Sequence, residues 1–185
     1  MPSQLLIVPP EPAEVALLAS AMPTEGLTAF VLTAAYSGLR LSEVANLRDA
    51  DITERDGVRM VHVRNGKGGK ERYSVLLDPA VPHLPDRRGF LFRNEAGRRY
   101  DRKLVNKKWM TARQRTGLSY RFHDLRHYFA TYALDHGCTD LDVAVALGHT
   151  DRWGRPNTEL VRRVYGHANP EKALRRIAAS CGGVA

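Results

Sequence analysis

One stretch of this chain changes its period. VRMVHVR, residues 58–64, alternates apolar and polar side chains; NGKGGK follows, and ERYSVLL resumes the alternation through residue 77. A repeat of two puts successive side chains on opposite faces of a strand. The apolar residues on either side recur instead every three or four positions, the spacing of one helix face. The chain is therefore constrained to helices around a single short sheet, and the expected fold is mainly α with a small antiparallel β-sheet, its hairpin at 58–77. The glycines of NGKGGK suit the positive backbone angles of a hairpin tip, and Lys67 and Lys70 ride on that tip. It is not a phosphate-binding P-loop, since no lysine followed by Ser or Thr closes a GxxxxG and the segment joins strand to strand.

The helical stretches are punctuated. Pro9, Pro10 and Pro12 lead into AEVALLASA, and TEGLTAFVLTAAYSG presents Leu27, Phe30, Val31, Ala34 and Ala35 on one face before Gly38 ends it. LSEVANL restarts a short helix with Leu41, Val44 and Leu47 inward, which leaves Arg40 in the bend between two buried elements. A guanidinium there is either pinned by an internal carboxylate, with Glu43 the candidate, or presented to a ligand anion. Residues 78–102, rich in Pro, Gly and Arg, read as a surface connector anchored by GFLF. Helices are expected from Leu104 to Thr116, with Trp109 in the core, over HDLRHYFATYALDHG, and over TDLDVAVALGH with Thr139 as N-cap, Asp142 completing a capping box and Gly148 as terminator. A last helix is expected from Pro170 to Ala179, entered through Asn169-Pro170.

At 185 residues and 43% hydrophobic, the chain suits one compact domain. Its net charge of +8 is concentrated in residues 61–130, which hold seventeen Arg and Lys against six Asp and Glu. Such a stripe suits a polyanion, nucleic acid or an acidic membrane face. Arg outnumbers Lys twenty-two to six; planar guanidiniums favour bidentate phosphate contacts, although a GC-rich genome produces the same bias. No run of about eighteen apolar residues and no signal peptide is visible, so a cytoplasmic, soluble protein is expected. Cys138 and Cys181 have no metal or redox spacing and read as reduced thiols.

His123, Arg126 and His127 lie on or beside one helix edge. A metal site there lacks the glutamate of HExxH, a nearby cysteine and an evident third ligand, so no metal is expected. His149, straight after Gly148, either caps carbonyls or is held at a cleft.

Taken together, these segments resemble the catalytic domain of the tyrosine recombinases, the phage integrase family, from about Glu11 to Ala178. GLRLSEVANLR is similar to the segment with the family's first catalytic arginine, Arg40 here, with Glu43 as supporting acid. GKGGKER resembles the hairpin of the catalytic lysine, placed on Lys67. HDLRH matches the histidine-x-x-arginine motif, giving His123 and Arg126; ALGHT gives His149, and Tyr165 aligns with the nucleophile. Six residues in the family's order make the resemblance specific.

The resemblance implies a DNA breaking-rejoining fold and a site-specific recombinase that cleaves through a 3′-phosphotyrosyl bond, with no cofactor. Double-stranded DNA carrying recombination sites is the implied partner, bound by a tetramer of protomers, with Lys70, Arg72, Arg98, Arg99, Lys107 and Lys108 as candidate DNA contacts. In cell terms it implies a nucleoid-associated protein, or one in the host cytoplasm if phage-encoded. Two other functions are weighed: a type IB topoisomerase-like relaxing enzyme, and a basic DNA-binding module without catalysis.

Two departures from the family accompany the match. Residues 1–185 are read as a single catalytic domain without the family's usual N-terminal DNA-binding domain, so modest DNA affinity and a monomer in isolation are expected. Tyr165 lies sixteen positions after His149, more than is usual in the family, and the excess is DRWGRPN, expected as an outward polar loop.

Overall fold

A computed structural model describes residues 8–66, 69–94 and 96–165, the side chains of residues 163–165 excepted. The expected last helix, Lys67, Cys181 and the Tyr165 side chain lie outside the described residues. The chain divides into two compact units, one ending at Phe129 and the other beginning at Ala130.

The first unit opens with α1 (Pro12–Ser20), α2 (Glu25–Ser37) and α3 (Leu41–Ala45). Thr24 caps α2 through its side chain, and Gly38 ends it in the left-handed region at φ 65°, where a side chain is costly. Leu27, Phe30, Val31, Ala34 and Ala35 are buried as expected, but so are Ala29, Leu32, Thr33, Tyr36 and Ser37. A helix buried all round is a central one, not a one-sided surface helix. Packed against α2 are α1, α3, a 3-10 segment over Asp78–His83 and the last strand of the sheet. At the heart of this core Phe30 meets Phe92 edge-on at 5.2 Å and Phe122 at 5.8 Å. Leu91 and Phe92 are the buried anchor within the connector.

The sheet has three strands where two were expected: β1 (Ile52–Arg55), β2 (Val58–Val63) and β3 (Arg72–Val75), antiparallel and in that order. Asp56 and Gly57 join β1 to β2 with φ of 52° and 75°, the paired positive angles of a tight hairpin turn. In β2, Val61 and Val63 are buried; they pair with Ser74 and Arg72 of β3, so by strand parity Arg72 and Ser74 share the inner face. Ser74 Oγ donates to the Ser37 carbonyl at 2.8 Å, which fixes β3 beside the end of α2.

Helix α4 (Arg102–Thr116) is capped by Asp101, with Trp109 buried and its indole N–H donating to the Tyr120 carbonyl at 2.9 Å. Helix α5 (Asp124–Asp135) begins in the first unit and runs into the second. The second unit continues with α6 (Asp140–Leu147) and α7 (Thr158–Tyr165). The Thr139 and Asp142 capping box and the left-handed Gly148 bound α6 as expected. Arg162 pairs with Asp140 at 2.7 Å, tying α7 to α6. Among the described residues no helix is long and apolar enough to cross a membrane.

Candidate active site

The bend from Ser37 to Glu43 organises the motif residues of the first unit. Gly38 turns the chain, Leu39 is buried beneath it, and Arg40 becomes the residue that starts α3. Both readings of Arg40 meet in one cluster. Its backbone N–H and its Nη1 donate to the two oxygens of Glu43, at 2.7 and 2.9 Å, while its side chain stays 28% exposed.

Glu43 is buried and has a second guanidinium on it. Arg72 reaches across from β3 and places Nη1 and Nη2 on the two Glu43 oxygens, each at 2.8 Å, the forked geometry that suits a carboxylate. Burial alone pushes the Glu43 carboxyl up, but the Arg72 hydrogen bonds and charge, with the backbone and charge of Arg40, hold it down at about 2. One carboxylate between two guanidiniums leaves the cluster with net positive charge, and Arg40 carries it to the surface. Arg72 was expected among the DNA contacts; its side chain is only 11% exposed and its fork is taken up by Glu43. Sequence reasoning missed this pairing, although Arg72 falls on the inward parity set by Ser74.

Arg126 is the second arginine, 2% exposed, on the first turn of α5. Its Nη1 donates to the Gly38 carbonyl at 2.7 Å, so the same bend anchors both arginines. His123 stands just before α5, exposed, its carbonyl accepting the Arg126 backbone N–H at 3.0 Å. Crowding around its ring, then the charge of Arg126 and, more weakly, of Arg121 and Arg40, lower its pKa against an opposing effect of Asp124. The ring is thus neutral at pH 7, with a nitrogen able to accept a proton. His127 is buried and meets His123 edge-on at 5.1 Å; burial first, then His123, depresses it to about 4. Among the described residues no group of three or more His, Cys, Asp or Glu lies placed to hold a metal ion.

The described ends of the hairpin tip meet at Gly66 and Lys70. Gly66 N–H donates to the Lys70 carbonyl at 2.9 Å, and a Cβ on Gly66 would come within 2.6 Å of that oxygen, so only glycine fits there. Lys70 is exposed. Of the other expected DNA contacts, Arg98 and Lys107 are exposed and Lys108 is half-buried on α4. Arg99 is exposed and donates through Nη1 to the Asn46 side chain, at the end of α3.

The second unit holds the two remaining motif residues. His149 follows the Gly148 terminator of α6 and is half-buried; Tyr165 is the last residue of α7. Between them DRWGRPN forms an out-and-back excursion. Thr150 and Pro156 pair as an antiparallel bridge, and Asn157 N–H donates to the His149 carbonyl at 2.7 Å. Asn157 also caps α7, its side chain accepting from the Leu160 N–H at 3.1 Å. The extra residues leave the path and return to it, so α7 starts where the His149 carbonyl fixes it.

A sequence model of the phage integrase family matches residues 11–173. The chain belongs to the phage integrase family. It is 34% identical over 128 residues to the tyrosine recombinase XerC of Chlamydia trachomatis, spanning 62% of this chain and 40% of that protein. Against the tyrosine recombinase XerA of Thermococcus kodakarensis it is 30% identical over 146 residues, 73% of this chain and 51% of the relative. The chain thus spans about half the length of these integrase-family relatives, or less. The fold matches a crystal structure of XerA recombinase with a TM-score of 0.72 at 24% identity, covering 98% of this chain and 67% of that one. It also matches the catalytic domain of bacteriophage HP1 integrase, with a TM-score of 0.65 at 22% identity, covering 92% and 95%.

Proposed function

We propose that this chain is the catalytic domain of a site-specific DNA recombinase, cleaving and rejoining strands through a 3′-phosphotyrosyl intermediate without a metal ion. The observation that carries the reading is the joint anchoring of Arg40 and Arg126 at one bend, beside a neutral His123. Two guanidiniums in fixed positions are suited to the extra charge that develops on the non-bridging oxygens of a pentavalent phosphorus.

In this reading the Tyr165 oxygen attacks the scissile phosphorus and its proton passes to His123, because a neutral phenol with a reference pKa of about 10 is a poor nucleophile. The bond from phosphorus to the 5′ oxygen breaks, and Lys67 protonates the departing hydroxyl. Arg40, Arg126 and His149 hold the phosphoryl oxygens. Arg72 acts through Glu43 as a positioning residue, keeping Arg40 in place. The phosphotyrosyl bond conserves the energy of the diester, so a partner strand's 5′ hydroxyl reseals the DNA and frees Tyr165. His149, Lys67 and Tyr165 enter this scheme through the family's motif order.

Duplex DNA with recombination sites is the substrate, held by a tetramer of protomers; the isolated domain is a monomer whose residues 170–185 engage a neighbour on paired sites. Burying the few apolar side chains of that tail yields several kcal/mol, below the roughly 4 to 15 kcal/mol cost of association without DNA. The relative XerH is described in complex with its difH substrate, which accords with a duplex partner.

The test is covalent trapping on a library of nicked duplexes, in which the short fragment beyond the cut diffuses away. A protein-linked strand with a released 5′ hydroxyl is expected, and recombination of plasmids carrying two copies of the trapped site. Relaxation of plasmids lacking the site would favour the topoisomerase reading, and duplex binding without any adduct would favour a binding module.

A further inference from the structure

Of DRWGRPN, Asn157 is accounted for, since it holds the start of α7 at the His149 carbonyl, but residues 151–156 are not explained by the reaction. The loop is nevertheless well built. The Asp151 carboxylate accepts from the backbone N–H groups of Trp153 and Arg155, at 2.8 and 3.0 Å, and pairs with Arg155 Nε at 3.0 Å. Asp151 N–H donates to the Arg155 carbonyl at 2.8 Å, and Gly154 turns the tip at φ 84°. A loop with this many internal bonds does not hide its apolar side chain by collapse. Trp153 is 64% exposed at the tip, with the Arg152 guanidinium 3.9 Å from its ring centroid and that of Arg155 4.9 Å away.

An indole with two guanidiniums packed on its ring is a preformed recognition surface. Stacking orients the forks toward phosphate oxygens, with the Arg155 Nε–H held by Asp151 and its Nη groups left to donate, while the exposed part of the ring adds apolar surface. No ion pair of Arg152 is found among the described residues, so its charge is uncompensated, whereas Asp151 offsets Arg155. Four residues of chain place Trp153 no more than about 14 Å from His149. That distance is about four base-pair steps of duplex at about 3.4 Å each.

We propose that the Arg152, Trp153 and Arg155 cluster is an additional DNA-binding element, gripping the backbone of the duplex a few base pairs from the scissile phosphate, with guanidiniums on phosphates and the indole against deoxyribose. It rests on the reading of His149 as a phosphate-holding residue. A positively charged, aromatic-tipped loop fits a polyanion better than it fits a neighbouring protomer of the same net positive charge.

The experiment measures binding of the protein to a fluorescent 30-base-pair duplex of random sequence, across a salt series, for wild type and the Arg152→Ala/Trp153→Ala double variant, with Trp153→Phe as a conservative companion. The double variant is expected to bind about tenfold more weakly at low salt, with a salt slope smaller by about one contact. Trp153→Phe should retain most of the affinity. Of the two tryptophans, Trp109 is buried, so duplex should protect the exposed Trp153 fluorescence from acrylamide quenching in wild type, and this protection should vanish in Trp153→Phe. Wild-type binding with an unchanged double variant and no protection of Trp153 overturns this inference alone. Unchanged single-protomer binding with lost cooperativity assigns the loop to protomer contacts and also overturns it. Failure of wild type to bind duplex at all would overturn both the inference and the recombinase reading.

Discussion

Arg126 and Gly38 are 88 residues apart in sequence and joined by a 2.7 Å hydrogen bond from the guanidinium to the carbonyl. The carbonyl is available because Gly38 leaves α2 in a left-handed turn instead of continuing the helix. Gly38→Ala should therefore have two effects. The strained turn costs about 1–2 kcal/mol of stability, read as a lowered denaturation midpoint. The displaced carbonyl weakens the seating of Arg126, so DNA cleavage should fall more than the stability loss explains when it is measured well below that midpoint. An Ala variant with normal cleavage would show that the anchor is dispensable.

Glu43→Gln should be severe for a different reason. It removes the charge that holds the Arg72 fork and weakens the brace on Arg40. Breaking one side of a buried pair costs about 3–5 kcal/mol. Denaturant titration checks the stability. Arg72→Met in the Glu43→Gln background removes the buried charge that Glu43 offset and should recover part of the stability without recovering cleavage, because the brace on Arg40 stays weakened.

The described fold was largely legible in the sequence where local rules govern it. The Gly38 terminator, the Thr139 and Asp142 capping box and the alternation of 58–63 and 72–75 each carry their own chemistry within a few residues. Strand β1 was missed although Asp56-Gly57 is a strong hairpin signal, because its four residues, ITER, show little apolar alternation. The pairing of Arg72 with Glu43 was not legible, since 29 residues separate them and either arginine could have satisfied the acid alone. Full burial of α2 was hidden for the same reason: which elements surround a helix is decided by tertiary packing. The closure of the 151–157 loop on His149 depends on a single long-range backbone bond that its polar composition does not announce.

Acid should destabilise the domain in two stages. His127 is held neutral at about 4 against an ordinary 6.5, so the unfolded chain takes up the proton first, and stability falls as pH drops from 6.5 to 4 by about 3 kcal/mol. Glu43, held at about 2 against 4.5, contributes stability that is complete above pH 4.5 and is lost as pH falls toward 2. Denaturant titrations from pH 7 to 3 should show both stages. His127→Gln should flatten the first and Glu43→Gln the second.

The lowered pKa of His123 makes a kinetic prediction with a defined sign. A proton acceptor is active when neutral, and a depressed pKa extends neutrality to lower pH. Single-turnover cleavage should persist below pH 6.5 instead of falling to half there. Arg126→Gln removes a lowering charge and should move the acidic limb upward, along with a rate loss of about 10²–10³ from the missing phosphoryl contact.

The central claim is that Tyr165 is the atom donor to phosphorus. Trapped adduct from a nicked duplex, trimmed with nuclease and digested with trypsin, can be read by mass spectrometry. Cleavage after Arg163 and Lys172 places Tyr165 in the peptide of residues 164–172. The account predicts a nucleotide 3′-phosphate on Tyr165 in that peptide, and no adduct from Tyr165→Phe with duplex binding retained. An adduct on any other residue, or one that survives in Tyr165→Phe, would contradict it.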